Sequence, residues 1–173
     1  QKTAYEISLG LVGSEMCIRD RLADWHAWIN ERWGGNLKLI FKASRYMVLG
    51  WKSLGLNIEG NNQIIVKHAS EIYNSEYWRK VLTISKHITV KRSMRAIPIA
   101  GRKEGEAKNL AILTYVPMQV ADIFHLGIDI CQTGIDQRRA NMLAREVGKK
   151  LRKWTPIAVH HGIIPSLNGK GKM

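Results

Sequence analysis

Residues 115–146 read YVPMQVADIFHLGIDICQTGIDQRRANMLARE, and this stretch decides the fold. Its first part is apolar with a helical period. Pro117 at the front and Gly127 at the back follow the usual asymmetry of helix ends, so a helix is predicted from Pro117 to about Gly127. "IDIC", residues 128–131, is short and apolar and reads as a strand. A second helical pattern runs from Asp136 to about Leu151, and "PIAVH", residues 156–160, reads as the next strand. Strand, helix, strand at this spacing predicts a parallel βαβ unit.

Working outward, the same alternation continues. Leu22 and Ala23 read as the end of a buried strand. Asn36 to Leu54 carries apolar residues at steps of three and four, with Gly55 placed to end the helix. "QIIVKHASE", residues 63–71, is a short buried strand running into a loop. Glu76 to about Ala96 is helical and strongly basic, and "GRKEGEAKN", residues 101–109, is a polar linker. The fold class is therefore α/β, a parallel sheet with flanking helices.

The chain has 173 residues, with 27 Lys and Arg against 14 Asp and Glu, a formal net charge of +13. This excess points to a polyanion, with nucleic acid first and an acidic membrane surface second. No apolar run reaches the roughly twenty residues that span a bilayer. Of two cysteines, Cys17 falls in the segment set aside below. Cys131 alone makes neither an intrachain disulfide nor a metal site, so no metal is expected.

That segment is "YEISLGLVGSEMCIRD", residues 5–20. It fits neither helix nor long strand. Its end resembles the conceptual translation of a transposase-type sequencing adapter, in which Glu15–Asp20 spell the final codons and two leftover bases begin the codon for Arg21. Residues 1–20 are therefore expected to be non-native, to pack weakly and to have no consistent place in a sheet. Residues 21–173 are expected to carry the folded domain.

Several polar residues stand out. Tyr115, Gln119, Asp122 and Leu126 are spaced four, three and four apart and share one helix face. A phenol, an amide and a carboxylate on an otherwise apolar helix either form a ligand site or line a half-exposed stripe. Asp136 and Gln137 follow a strand's carboxyl end and open a helix, where parallel sheets gather ligands and where an Asp also serves as a cap.

The composite YxxxQxxDI…GxDQRxxNMLARE resembles the amino-acid-binding core of the tyrosyl-tRNA synthetases of archaeal and eukaryotic type. "LADWHAWIN" (22–30) and "HHGIIPSLNGKGKM" (160–173) resemble the same family in the same order. The resemblance implies a class I, Rossmann-like catalytic domain, here partial, with a mostly helical connective insertion at about 75–109. It implies a parent enzyme that activates L-tyrosine with ATP and Mg²⁺, transfers it to tRNA(Tyr), holds no tightly bound cofactor, works as a homodimer in the cytoplasm and has no membrane part. The fragment alone is expected to be inactive.

Residue by residue, the resemblance gives Tyr115 and Gln119 the substrate α-amino group and Asp122 the phenolic hydroxyl. Gln137 meets the polar end of the amino acid, and Asp136 lies near the ribose of the adenylate. Ala23 and His26 line the pocket floor, with Leu126 as a further secondary position. Lys172 and Met173 match the front of the mobile KMSKS loop that steadies the phosphates, with Lys172 the catalytic cation; on spacing alone Lys172 is an ordinary solvated lysine. Arg92, before Ser93 and Met94, matches a position that reads the first base pair of the acceptor stem. Lys91 is a phosphate contact by the same resemblance, and a solvated charged face by charge alone. The tryptophanyl sibling shares the fold, but an indole does not need Asp122. A non-catalytic tRNA-binding module derived from a synthetase is the remaining alternative.

Overall fold

The computed structural model describes residues 18–56, 58, 64–101 and 109–163. It divides into two compact units with the boundary between Tyr73 and Asn74.

The first unit begins with β1 (Ile18–Leu22), which pairs in parallel with β2 (Ile64–His68), Leu22 opposite His68. Between them lie α1 (Asp24–Ile29) and α2 (Leu37–Ser53). The predicted start of α2 is correct because Asn36 caps it, its side chain accepting from the Leu39 amide. Gly55, at φ +86°, ends it as expected. Of the apolar α2 positions only Ile40 is fully buried, alongside Ser44. β2 is half-exposed where a buried strand was expected, and α3 (Ala69–Ile72) follows it directly.

The expectation that residues 1–20 have no place in a sheet is wrong for Ile18, Arg19 and Asp20, which form the first three positions of β1 opposite Ile64–Val66 because the parallel ladder runs unbroken from Leu22 back to Ile18. Arg19 and Asp20 are exposed and Leu22 supplies the buried anchor of the strand. Residues 1–17 of that segment lie outside the described residues.

The second unit holds α4 (Ser75–Ser85), α5 (Val90–Ala96), α6 (Tyr115–His125), β3 (Ile130–Gly134), α7 (Arg138–Lys150) and β4 (Ile157–His161). β3 and β4 are parallel, with α7 as the crossover, so the predicted βαβ unit is present. The single basic helix expected over Glu76–Ala96 is two helices. Asn74 caps α4 and Thr89 caps α5, and the Arg92 amide, which an unbroken helix would bond to Ile88, bonds to Thr89 instead.

α6 starts at Tyr115, two residues before Pro117. Proline sits in the first helical turn, where its missing N–H has no intrahelical acceptor to lose. β3 begins two residues later than expected. Gly127, at φ +64°, turns the chain, and the Ile128 amide reaches back to the Ile123 carbonyl, so Ile128 closes the helix rather than opening the strand.

α4 and α7 both pack on α6. The core of this unit includes Tyr77, Val81, Ile84, Met118, Val120, Ala121, Ala144 and Val147, all nearly inaccessible. Tyr77 satisfies its buried hydroxyl by donating to the Met118 carbonyl at 3.1 Å. No helix among the described residues is long and apolar enough to cross a membrane.

Candidate functional site

In the second unit, α6 supplies Tyr115, Gln119 and Asp122 from one face, as the spacing required. Val116, Met118, Val120 and Ile123 turn inward from the same helix. Tyr115 and Gln119 are half-buried, and Asp122 is 5% exposed. Leu126 is the half-buried residue that ends the helix.

Gln137 reaches this face from the turn between β3 and α7. Gln119 Nε2 donates to Gln137 Oε1 at 2.9 Å, and Gln137 Nε2 donates to Asp136 Oδ2 at 3.0 Å and to the Ile99 carbonyl at 3.2 Å. The amides are thereby oriented. Gln119 Oε1 is buried and accepts no hydrogen bond among the described residues. A buried acceptor of this kind is costly unless a donor meets it. Four residues the sequence singled out are thus gathered in one place: Gln119, Asp136, Gln137 and, on the same helix face, Asp122.

Gly134 makes room for this arrangement. Its φ is −61°, which any residue adopts, but a Cβ there would lie 2.6 Å from Asp136 Oδ1. The carboxylate of Asp136 folds back over the end of β3 because nothing projects from Gly134.

Behind the site, Asn141 on α7 is 1% exposed and joins both strands. Its Nδ2 donates to Thr133 Oγ1 at 2.8 Å and lies 3.2 Å from His160 Nε2, while Cys131 Sγ donates to its Oδ1 at 3.6 Å.

On the far side of the α7 N-terminus a groove of about 380 Å³ runs along α5 and α7. Arg92, Arg95, Arg138 and Arg139 line it, with Met142 and Leu143 as apolar wall. Arg92 points both arms of its fork at Glu146, at 2.6 and 2.5 Å, and Lys150 reaches the same carboxylate at 3.1 Å. The Arg92 fork, then Lys150, hold the Glu146 carboxyl down at about 2. Arg139 donates to the Arg95 main-chain carbonyl. The sequence reading named Arg92 and Lys91 here. The structure gives the Arg92 fork to Glu146, leaves Lys91 exposed outside the groove lining, and adds Arg95 from the same basic run together with Arg138 and Arg139, which the sequence reading did not connect with it. The pair Arg138–Arg139, just after Asp136 and Gln137, was the available signal.

In the first unit, His26 is 2% exposed and its Nδ1 lies 3.0 Å from Arg21 Nη1. Ala23, expected at a pocket floor, is exposed just before α1. Asp24 is buried and fixes the start of α1 to α3, accepting from the Trp25 amide at 2.8 Å and from Ser70 Oγ at 2.5 Å. Lys172 and Met173 lie outside the described residues. Among the described residues no group of three or more His, Cys, Asp or Glu is placed to hold a metal ion.

Residues 18–173 match the family model described as tRNA synthetases class I (W and Y). The tyrosine–tRNA ligase of Thermococcus sibiricus is 45% identical over 159 residues, covering 84% of this chain and 42% of that protein. The structure of the Pyrococcus horikoshii tyrosyl-tRNA synthetase complexed with L-tyrosine superposes with a TM-score of 0.77 at 41% identity, over 87% of this chain and 44% of that one. The Leishmania major tyrosyl-tRNA synthetase with tyrosinol gives 0.77 at 37% identity, over 86% of this chain and 22% of its own. The chain thus spans under half the length of the curated relatives it matches. With the match running from Ile18 to the last residue, through both parallel strand pairs and the helix that carries Tyr115, Gln119 and Asp122, the chain belongs to the class I tRNA synthetase family of the tryptophan and tyrosine enzymes.

Proposed function

We propose that this chain is the amino-acid-binding portion of a tyrosine–tRNA ligase. One observation carries the reading. Gln119 is oriented by Gln137 so that a buried carbonyl oxygen stays available, one helical turn from the buried Asp122. An amino acid brings an ammonium donor for the first. Tyrosine, unlike phenylalanine, brings a hydroxyl donor for the second. The relatives named as tyrosine–tRNA ligases, one of them solved with L-tyrosine, favour the same substrate over tryptophan.

In the parent enzyme, Tyr115 and Gln119 hold the α-amino group, Asp122 accepts from the phenol, and Gln137 meets the polar end. Asp136 serves the ribose. The tyrosine carboxylate oxygen attacks the α-phosphorus of ATP, bound with Mg²⁺, and pyrophosphate leaves. Lys172, with Met173 beside it, steadies the negative charge that develops there. Residues 1–17 carry no part of the function in this reading, while Ile18–Asp20 extend β1 against β2 and fall inside the family match.

The arginine groove takes the acceptor end of tRNA(Tyr), where guanidiniums suit phosphate geometry. Arg92 serves it through its ion pair with Glu146, and reads a base only if that pair opens. Leu82, Val90 and Leu110 are exposed on the second unit and supply apolar surface for a homodimer. The parent enzyme works in the cytoplasm.

The test is amino acid binding to Asp122→Asn. A hydrogen bond to a charged acceptor contributes about 1.5–3 kcal/mol, so tyrosine binding should weaken on the order of 10- to 100-fold. Phenylalanine binding should stay nearly level or improve. Equal losses for both amino acids would refute the assignment.

A further inference from the structure

The amide site and the arginine groove share one short piece of chain. α5 and the 3-10 turn after it, Ile97–Ala100, meet α7 and the residue that precedes it at three points. Glu146 holds Arg92, Arg139 holds the Arg95 carbonyl, and Gln137 holds the Ile99 carbonyl. Gln137 and the groove residues Arg138 and Arg139 are consecutive. Ala96, Ile97 and Ile99 are buried, so close packing ties this piece together.

We propose that the two sites are thermodynamically linked through Gln137, so that a polyanion in the groove strengthens amino acid binding and the amino acid strengthens polyanion binding. This rests on the substrate reading given above. The sign follows from charge. Four guanidiniums line the groove from both walls; Glu146 offsets Arg92, and repulsion among Arg95, Arg138 and Arg139 opposes the close seating of α5 and its turn against α7. A phosphate chain between them neutralises that repulsion and favours the seated arrangement. Seating holds the Ile99 carbonyl against Gln137 Nε2, which fixes Gln137 Oε1 on Gln119 and aims the Gln119 acceptor. The polyanion therefore interacts better with the arrangement that the amino acid also prefers, which is the requirement for coupling.

The experiment uses the whole 173-residue chain. Calorimetry gives the dissociation constant of L-tyrosine with and without a saturating RNA hairpin that ends in an acceptor-type first pair and a single-stranded 3′ tail. The hairpin constant is measured with and without saturating tyrosine. Both constants should tighten by the same factor, on the order of fivefold or more. Arg139→Ala, which releases the Arg95 carbonyl, should bring that factor towards one as well as weaken the hairpin. If both ligands bind and neither affects the other, or if the hairpin weakens tyrosine, the linkage is refuted and the substrate reading stands. Tightening that persists undiminished in Arg139→Ala also refutes it. If tyrosine fails to bind with or without RNA, the substrate reading falls and takes the linkage with it.

Discussion

Replacing Gly148 with alanine should destabilise the second unit, against the general rule for helices. Gly148 lies near the end of α7 and is buried. On an exposed helix interior the change gains about 1 kcal/mol in propensity. Here the added Cβ would sit 2.7 Å from the Trp154 main-chain oxygen and 3.2 Å from Phe124 Cζ. Ordinary contact begins near 3.4 Å, so the Trp154 carbonyl must retreat by about 0.7 Å. It is poorly free to do so. The Lys153 amide bonds back to the Gly148 carbonyl at 2.8 Å, the Trp154 indole donates to the Ile128 carbonyl at 3.0 Å, and its ring meets Phe124 edge to face. Overpacking of this kind costs about 1–3 kcal/mol. Set against the propensity gain, a net loss of up to about 2 kcal/mol is expected. Urea unfolding followed by circular dichroism reads it as a lower midpoint at unchanged slope. A higher midpoint would show that the 153–156 segment yields freely, and the packing argument would fail.

Further outcomes follow from the same contacts. Asn141→Ala strands Thr133, His160 and Cys131 at once and should cost about 1–3 kcal/mol, read in the same urea assay. The Glu146 carboxyl is lower in the folded chain, at about 2, than its ordinary 4.5, so its ion pair stabilises the fold above the ordinary value and loses that effect as pH falls through about 2. The gap in urea midpoint between the wild type and Glu146→Gln should therefore be constant near neutrality and close in acid; a gap independent of pH would contradict the ion pair. Glu146→Gln also removes a negative charge from the groove and frees Arg92, so hairpin RNA should bind more tightly, with a salt dependence steeper by about 0.9 in the log–log slope. An unchanged slope would show that Arg92 never reaches phosphate.

The parts of this structure legible in the sequence are those set by neighbours along the chain. Asn36 and Gly55 bracket α2 because caps act within a few residues. Tyr115, Gln119 and Asp122 share a face because helical spacing leaves no other choice. The start of β3 was misplaced because Ile128 is equally apolar as a strand residue or as the closing residue of a helix, and only the Ile123 contact decides. The break between α4 and α5 was missed because the Thr89 cap sits inside a continuous basic pattern. The groove was half read. Arg92 lies in an evident basic run, but Arg138 and Arg139 approach it only after the chain has passed through α6 and β3, and no local pattern announces that meeting.

Gly134 has a consequence for how variation in this chain is to be interpreted. It carries no polar side chain and demands no unusual backbone, yet the Asp136 carboxylate occupies the volume any larger residue would fill. Alanine there would evict that carboxylate, and with it one of the two acceptors that hold Gln137 Nε2 in place. In a screen of binding-defective variants, changes at Gly134 will cluster with changes at Gln119 and Gln137, although the residue itself has nothing with which to hold a ligand. Its contribution to the proposed site is the room it leaves for the Asp136 carboxylate, and the chemistry that depends on it belongs to the next residues along the chain.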